Sequence, residues 1–266
     1  MARNKDLFER VKRATVAIAL ARPFSGDRRK PPYEIIGTGF CIHRDGIVVT
    51  CNHVLETFMP KPIVQQIADA GGPANQPTPA VSITPAVMFF DSRRFADSLA
   101  VFPVPAATVI GKMDFDLAMI RVPIHAAFKA GGYPTVEIEP FEDIHEGMEI
   151  ATCGFPLGNY LGDQIGTVTS SFTKGILSSI IPTGDTPEQY VKGFQLNLTA
   201  THGNSGGPVF SMESGKVFGV LQRGIATRDG QHMHGLTKAE PVYPMLRHDT
   251  TGRILKTPLG QLPSFG

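Results

Sequence analysis

Apolar residues along this chain fall in runs bounded by Gly and Pro, mostly without helical spacing. Thr15 to Leu20, Ile35 to Ile42, Ile47 to Thr50, Val87 to Phe90 and Ala107 to Ile110 each read as strands. So do Asp116 to Val122, Met148 to Cys153, Ile165 to Ile180, Gly193 to Leu198, Val209-Phe210 and Val217 to Leu221. β-Branched runs punctuated in this way predict an all-β protein. Arg44-Asp45-Gly46 supplies a turn between two of the runs, since Asp-Gly suits a tight hairpin. Weak helical periodicity covers residues 6 to 14, and a short helix is expected near Val242 to His248. Met59 to Pro85 shifts to Pro, Gly, Ala and Gln and reads as a surface insertion or a loop near the rim of the site.

The candidate chemistry is concentrated in Thr201-His202-Gly203-Asn204-Ser205-Gly206-Gly207-Pro208. One serine among three glycines lets backbone N–H groups crowd close to a substrate carbonyl, as an oxyanion site requires. A serine is a weak nucleophile alone and needs a base and an orienting acid. His53 ends the run from Gly46 to His53, and Asp116 opens the run to Val122. Ser205 would attack a carbonyl, His53 would move the proton, and Asp116 would fix the imidazole tautomer. Asp114 competes with Asp116 and reads as a solvated loop carboxylate.

Gly203-Asn204-Ser205-Gly206-Gly207 also fits the nucleophile elbow of α/β-hydrolases. That fold places its acid and histidine after the serine and a helix directly behind it. Here a proline and a β-branched run follow, so the elbow reading fails. The order His53, Asp116, Ser205 is that of the chymotrypsin-type double barrel.

The chain resembles trypsin-like serine peptidases, and within them the HtrA/Deg branch. Thr38-Gly39-Phe40 with Val49 to Val54, Asp116-Leu117-Ala118-Met119-Ile120, Gly154-Phe155-Pro156-Leu157-Gly158 with Lys174 to Ser178, and Gly203 to Pro208 carry the likeness. The resemblance implies an all-β, chymotrypsin-like double six-stranded β-barrel with short terminal helices, spanning 1–266 as one protease domain. The first barrel would cover about 15–125, the second about 138–240, and a tail 241–266. It implies an oxyanion hole from the N–H groups of Gly203 and Ser205. It also implies a serine endopeptidase of extended polypeptides. The roughly 45 residues after the Val217 run are too few for a PDZ module of ordinary domain size, so none is expected there. Two departures stand out. Asn204 occupies the place where secreted trypsins carry Asp, and no Ile-Val-Gly-Gly start is present. Activation by an inserted N-terminus is therefore not expected, and loop ordering would govern activity.

Substrate contacts follow from the same likeness. Thr199 would lie at the floor of the first side-chain pocket, His202 would line the cleft, and Val220, Leu221 and Gln222 would pair with the substrate backbone. With no carboxylate at Thr199, a basic P1 side chain would lack a partner, so a small or aliphatic P1 residue is expected. A protease-fold binding module with a latent site is the alternative function, and an esterase a third.

Composition narrows the partners. A net charge of +1 calls for neither nucleic acid nor an acidic membrane surface. No run approaches the roughly 18 apolar residues of a membrane span. His232, His234 and His248 lack a carboxylate or cysteine at familiar ligand spacing, so no metal and no other cofactor is expected. Three cysteines, Cys41, Cys51 and Cys153, with no apolar leader argue against a disulfide framework and toward a reducing, cytoplasmic location.

Overall fold

The computed structural model describes residues 2–21, 33–55, 85–90, 99–103, 109–112, 115–156, 170–182, 188–226, 232–243 and 246. Asp114, the expected 59–85 insertion apart from Pro85, and all but a few residues of the expected C-terminal helix lie outside them.

Helix α1 (Ala2–Ala14) leads directly into strand β1 (Thr15–Ala21). The first half continues with β2 (Tyr33–His43), β3 (Ile47–Thr50), a short helix α2 (Asn52–Leu55), β4 (Pro85–Phe90), β5 (Leu99–Pro103), β6 (Val109–Lys112) and β7 (Leu117–Arg121). These strands form an antiparallel seven-stranded sheet in the order β5-β4-β1-β2-β3-β7-β6, one strand more than expected. The second half contains β8 (Glu149–Gly154), β9 (Ser171–Ile181), β10 (Gly193–Asn197), β11 (Pro208–Ser211), β12 (Val217–Ala226) and β13 (His232–Pro241). They close a six-stranded barrel in the order β10-β13-β12-β11-β8-β9. The fold is the all-β, chymotrypsin-like class.

Ile47, Val48 and Val49 of β3 and all of β7 are buried. Val49 pairs with Met119 and Thr50 with Ala118, which brings the ends of these two strands together. The hairpin between β2 and β3 turns at Arg44-Asp45-Gly46 as its sequence predicts.

Helix α1 buries Leu7 and Val11, spaced one turn apart, as an amphipathic helix must. Phe8 meets Phe172 edge to face at 4.7 Å and Phe210 at 6.0 Å, both in the second barrel. Arg10 donates to Glu137 at 2.9 Å and to the Ser214 carbonyl at 3.0 Å. A helix that opens the first sheet thus packs on the second barrel and pins the two halves together.

Candidate active site

The β3–β7 pairing positions the first two groups. Cys51 follows β3, and α2 begins at Asn52, so His53 sits in the first turn after the strand. Asp116 immediately precedes β7. The Asp116 carboxylate receives the His53 backbone N–H at Oδ1 (2.9 Å) and faces the His53 ring, with Nδ1 2.5 Å from Oδ2. The Asn52 N–H donates to the Asp116 carbonyl at 3.3 Å, which ties the same two segments through backbone. A third donor, Gln222 Nε2, reaches Asp116 Oδ2 at 3.0 Å from strand β12. Burial pushes the Asp116 carboxyl up, but the hydrogen bonds from the His53 ring and amide and from Gln222 outweigh it. The net position is below the ordinary carboxylate value. Asp116 is held as the anion a neighbouring imidazolium needs.

Ser205 lies on the turn before β11. Its Oγ–H donates to the Gln222 carbonyl at 2.5 Å rather than to the imidazole. Gln222 therefore touches both the hydroxyl and the carboxylate, and a continuous chain of contacts runs Ser205, Gln222, Asp116, His53.

The turn itself is stitched at nearly every peptide. Asn204 N–H donates to the Thr201 carbonyl (3.1 Å), Gly207 N–H to the Asn204 carbonyl (3.0 Å), and Gly206 N–H to the Leu221 carbonyl (2.7 Å). Gly203 adopts φ +93°. Among the described residues, neither the Gly203 nor the Ser205 N–H has an acceptor. Two free backbone donors beside the serine are what a developing oxyanion would use. The Asn204 side chain is buried beside Gly154. A neutral amide there demands no cationic partner.

Thr38 in β2 is the hub beneath this turn. Its N–H donates to the Ser205 carbonyl (2.8 Å) and its Oγ1 to the Gly203 carbonyl (2.6 Å). The same Oγ1 accepts from the Phe155 N–H (3.1 Å), and its own carbonyl accepts from Thr50 Oγ1 (2.6 Å). Sequence reasoning placed Thr38 in a family motif but gave it no task. Thr38→Val keeps the shape and deletes the Oγ1 contacts, leaving buried groups unpaired at about 1–3 kcal/mol each. The expected result is a lower denaturation midpoint together with a fall in kcat of ~10-fold or more at similar KM, restored by Thr38→Ser. Unchanged kcat would remove Thr38 from the set of positioning residues.

The substrate-side residues divide. Val220 and Leu221 do not present the open edge expected of them. Val220 pairs with Pro208 on one side and Glu240 on the other. Leu221 donates its N–H to the Gly207 carbonyl, and its own carbonyl is taken by Gly206 and by Cys51 Sγ. Both side chains are fully buried. Only Gln222 of the three meets the nucleophile. The β12–β13 register breaks between Leu221 and Gly224, which moves any available edge to Gln222 and the residues after it. Thr199 is exposed instead of lying at a closed floor, and His202 is exposed next to Gly203. The side chains of His232 and His234, and all of His248, lie outside the described residues. No helix among the described residues is long and apolar enough to cross a membrane.

Comparison with known proteins places this geometry. The pattern of the trypsin-like peptidase domain matches residues 37–220. A protein of Halomonas elongata named "Probable periplasmic serine endoprotease DegP-like" is 28% identical over 207 residues, covering 78% of this chain and 33% of that protein. A protein of the same name from Pseudomonas putida is 28% identical over 220 residues, covering 82% and 34%. The chain thus spans about a third of the length of these curated relatives. Among solved structures, the HtrA-type protease AlgW with tripeptide aligns at TM-score 0.59 and 17% identity over 95% of this chain and 64% of that one. Deg5 aligns at 0.59 and 18% over 96% and 95%. At such identities these two speak for the fold alone.

The relatives' names overturn the cytoplasmic expectation, since they are called periplasmic. Cys41, Cys51 and Cys153 are all disulfide-free and buried. Buried thiols stay out of reach of oxidant and partner, so their not forming disulfides does not fix a compartment. With the match covering residues 37–220, this chain belongs to the trypsin-like peptidase domain family.

Proposed function

We propose that the chain is a serine endopeptidase that cleaves extended polypeptides by acyl transfer, with Ser205 as nucleophile, His53 as base and Asp116 as orienter. The observation that carries this reading is the unbroken run of contacts from Ser205 through Gln222 and Asp116 to His53. In turnover Ser205 Oγ leaves the Gln222 carbonyl by side-chain rotation and gives its proton to His53 Nε2. The oxygen attacks the scissile carbonyl, whose oxyanion is received by the Gly203 and Ser205 N–H groups. His53 then returns the proton to the leaving amine, and water repeats the sequence on the acyl-enzyme. We read the two halves, about 15–125 and 138–240, as the barrels of one protease domain with this cleft between them.

The substrate backbone extends as an added strand from Gln222 onward, beyond the paired Val220 and Leu221. With Thr199 exposed, the P1 preference rests on the HtrA/Deg likeness alone: peptides varied at P1 are expected to be cut faster after small or aliphatic residues than after Lys or Arg. Fastest cleavage after a basic residue overturns that preference while leaving the mechanism intact.

Fluorophosphonate treatment followed by peptide mapping tests the mechanism, with the adduct expected on Ser205. The Ser205–Gln222 bond favours one second reading, a latent module whose hydroxyl is parked away from its base. Such a module forms the adduct only after a peptide is added.

A further inference from the structure

Cys51 has no task in the mechanism above, yet it lies against two members of the triad. One ligand atom from each of Cys51, His53 and Asp116 falls within 4.8 Å of the others. A thiol, an imidazole and a carboxylate converging on one point are a donor set that divalent zinc and cadmium prefer. We propose that this trio is an inhibitory site for a thiophilic divalent cation, held by Cys51 Sγ, His53 Nδ1 and Asp116. The inhibitory part of this inference rests on the protease reading; the binding part does not.

The geometry is close to what an ion needs. Bond lengths of about 2.0–2.3 Å to nitrogen, oxygen and sulfur place ligand atoms ~3–4 Å from one another. The trio therefore has to tighten on the thiol side and open by under ~1 Å between ring and carboxylate, which now stand 2.5 Å apart. His53 and Asp116 side chains are 35% and 24% exposed, so the ion has an entry path from the cleft although Cys51 itself is buried. Water from the cleft supplies a fourth ligand. Gln222 Nε2, already bonded to Asp116, orients the carboxylate from outside the ligand set.

Charge and proton balance agree. On binding, Cys51 gives up its S–H proton to solvent and releases the Leu221 carbonyl it now contacts at 3.2 Å. One thiolate and one carboxylate then offset the divalent ion, so the half-buried site passes from a net charge of −1, carried by Asp116, to neutral. The metal takes the Nδ1 lone pair, and the ring proton moves to Nε2. An imidazole protonated at Nε2 cannot accept the Ser205 proton, so binding and inhibition are the same event. The other two thiols do not compete. Among the described residues, neither Cys41 nor Cys153 is grouped with two further His or carboxylate ligands as Cys51 is.

The test titrates the metal-free protein with cadmium, following the ultraviolet sulfur-to-cadmium charge-transfer band, and in parallel with zinc, following peptide hydrolysis. The wild type is expected to show a band that saturates at one equivalent, and loss of turnover over the zinc titration. Cys51→Ser keeps an O–H donor for Leu221 and is expected to lose the band and to need ~10-fold or more zinc for the same inhibition. A missing band in the wild type, or equal zinc sensitivity in Cys51→Ser, overturns the proposal. If metal-free protein has no peptidase activity, the protease reading fails, but the cadmium band still decides the site.

Discussion

Replacing Ser205 with alanine is expected to lower kcat by about 10⁴- to 10⁶-fold and abolish the fluorophosphonate adduct, with little change in stability. The size of the effect follows from the division of labour in the site. The proposed oxyanion donors are backbone N–H groups and survive the change, so a residual rate above that of water is expected to persist. What disappears is the hydroxyl bonded to the Gln222 carbonyl, and with it the covalent route. Folding loses one hydrogen bond, worth about 1 kcal/mol, because alanine tolerates the same backbone conformation. Single-turnover kinetics and a denaturant midpoint on the same preparation separate the two. Because the three groups act as a unit, His53→Ala on top of Ser205→Ala is expected to add little further loss. A variant that is still labelled, or that keeps more than about a hundredth of wild-type turnover, excludes Ser205 as nucleophile.

The features legible in the sequence are those with a local cause. The strands β3 and β7 declare themselves through β-branched and apolar runs, and the groups at their ends, His53 and Asp116, follow from strand polarity. The Asp-Gly turn at Gly46 and the glycines around Ser205 are equally local. The roles of Gln222 and Thr38 are not. Gln222 reaches Asp116 across 106 positions and Thr38 reaches Gly203 across 165, and no spacing rule encodes contacts at that range. Their only advance signals were an amide next to an apolar run and a hydroxyl set between two glycines. The expected substrate edge at Val220 and Leu221 failed for a related reason. An apolar run shows that a strand is present, but which of its backbone groups remain free depends on neighbours far along the chain. Helix α1 was half visible because its apolar stripe, buried Leu7 and Val11 with half-buried Phe8, is narrow and its polar flank is long.

Gly206→Ala is expected to destabilise the fold by about 3 kcal/mol or more and to erase Ser205 labelling even where the protein still folds. Gly206 adopts φ +89°, which costs an L-residue about 1–2 kcal/mol by itself. An added Cβ would also lie 2.0 Å from the Thr38 carbonyl oxygen and 2.2 Å from Thr50 Oγ1. Neither neighbour can yield cheaply. The Thr38 carbonyl belongs to β2 and already accepts the Thr50 hydroxyl, and the Thr38 side chain and amide hold Gly203 and Ser205. Moving that carbonyl therefore displaces Gly203 and Ser205, the proposed oxyanion donors, which is why activity is expected to be lost with stability. Gly147 provides the control. It has φ +84° with nothing within 4 Å of the position a Cβ would take, so Gly147→Ala incurs the conformational cost alone. Urea midpoints for the two variants should differ by the steric part, and only the Gly206 change should abolish the adduct. Equal destabilisation by the two substitutions would show that the packing of Gly206 against Thr38 and Thr50 does not shape the nucleophile turn.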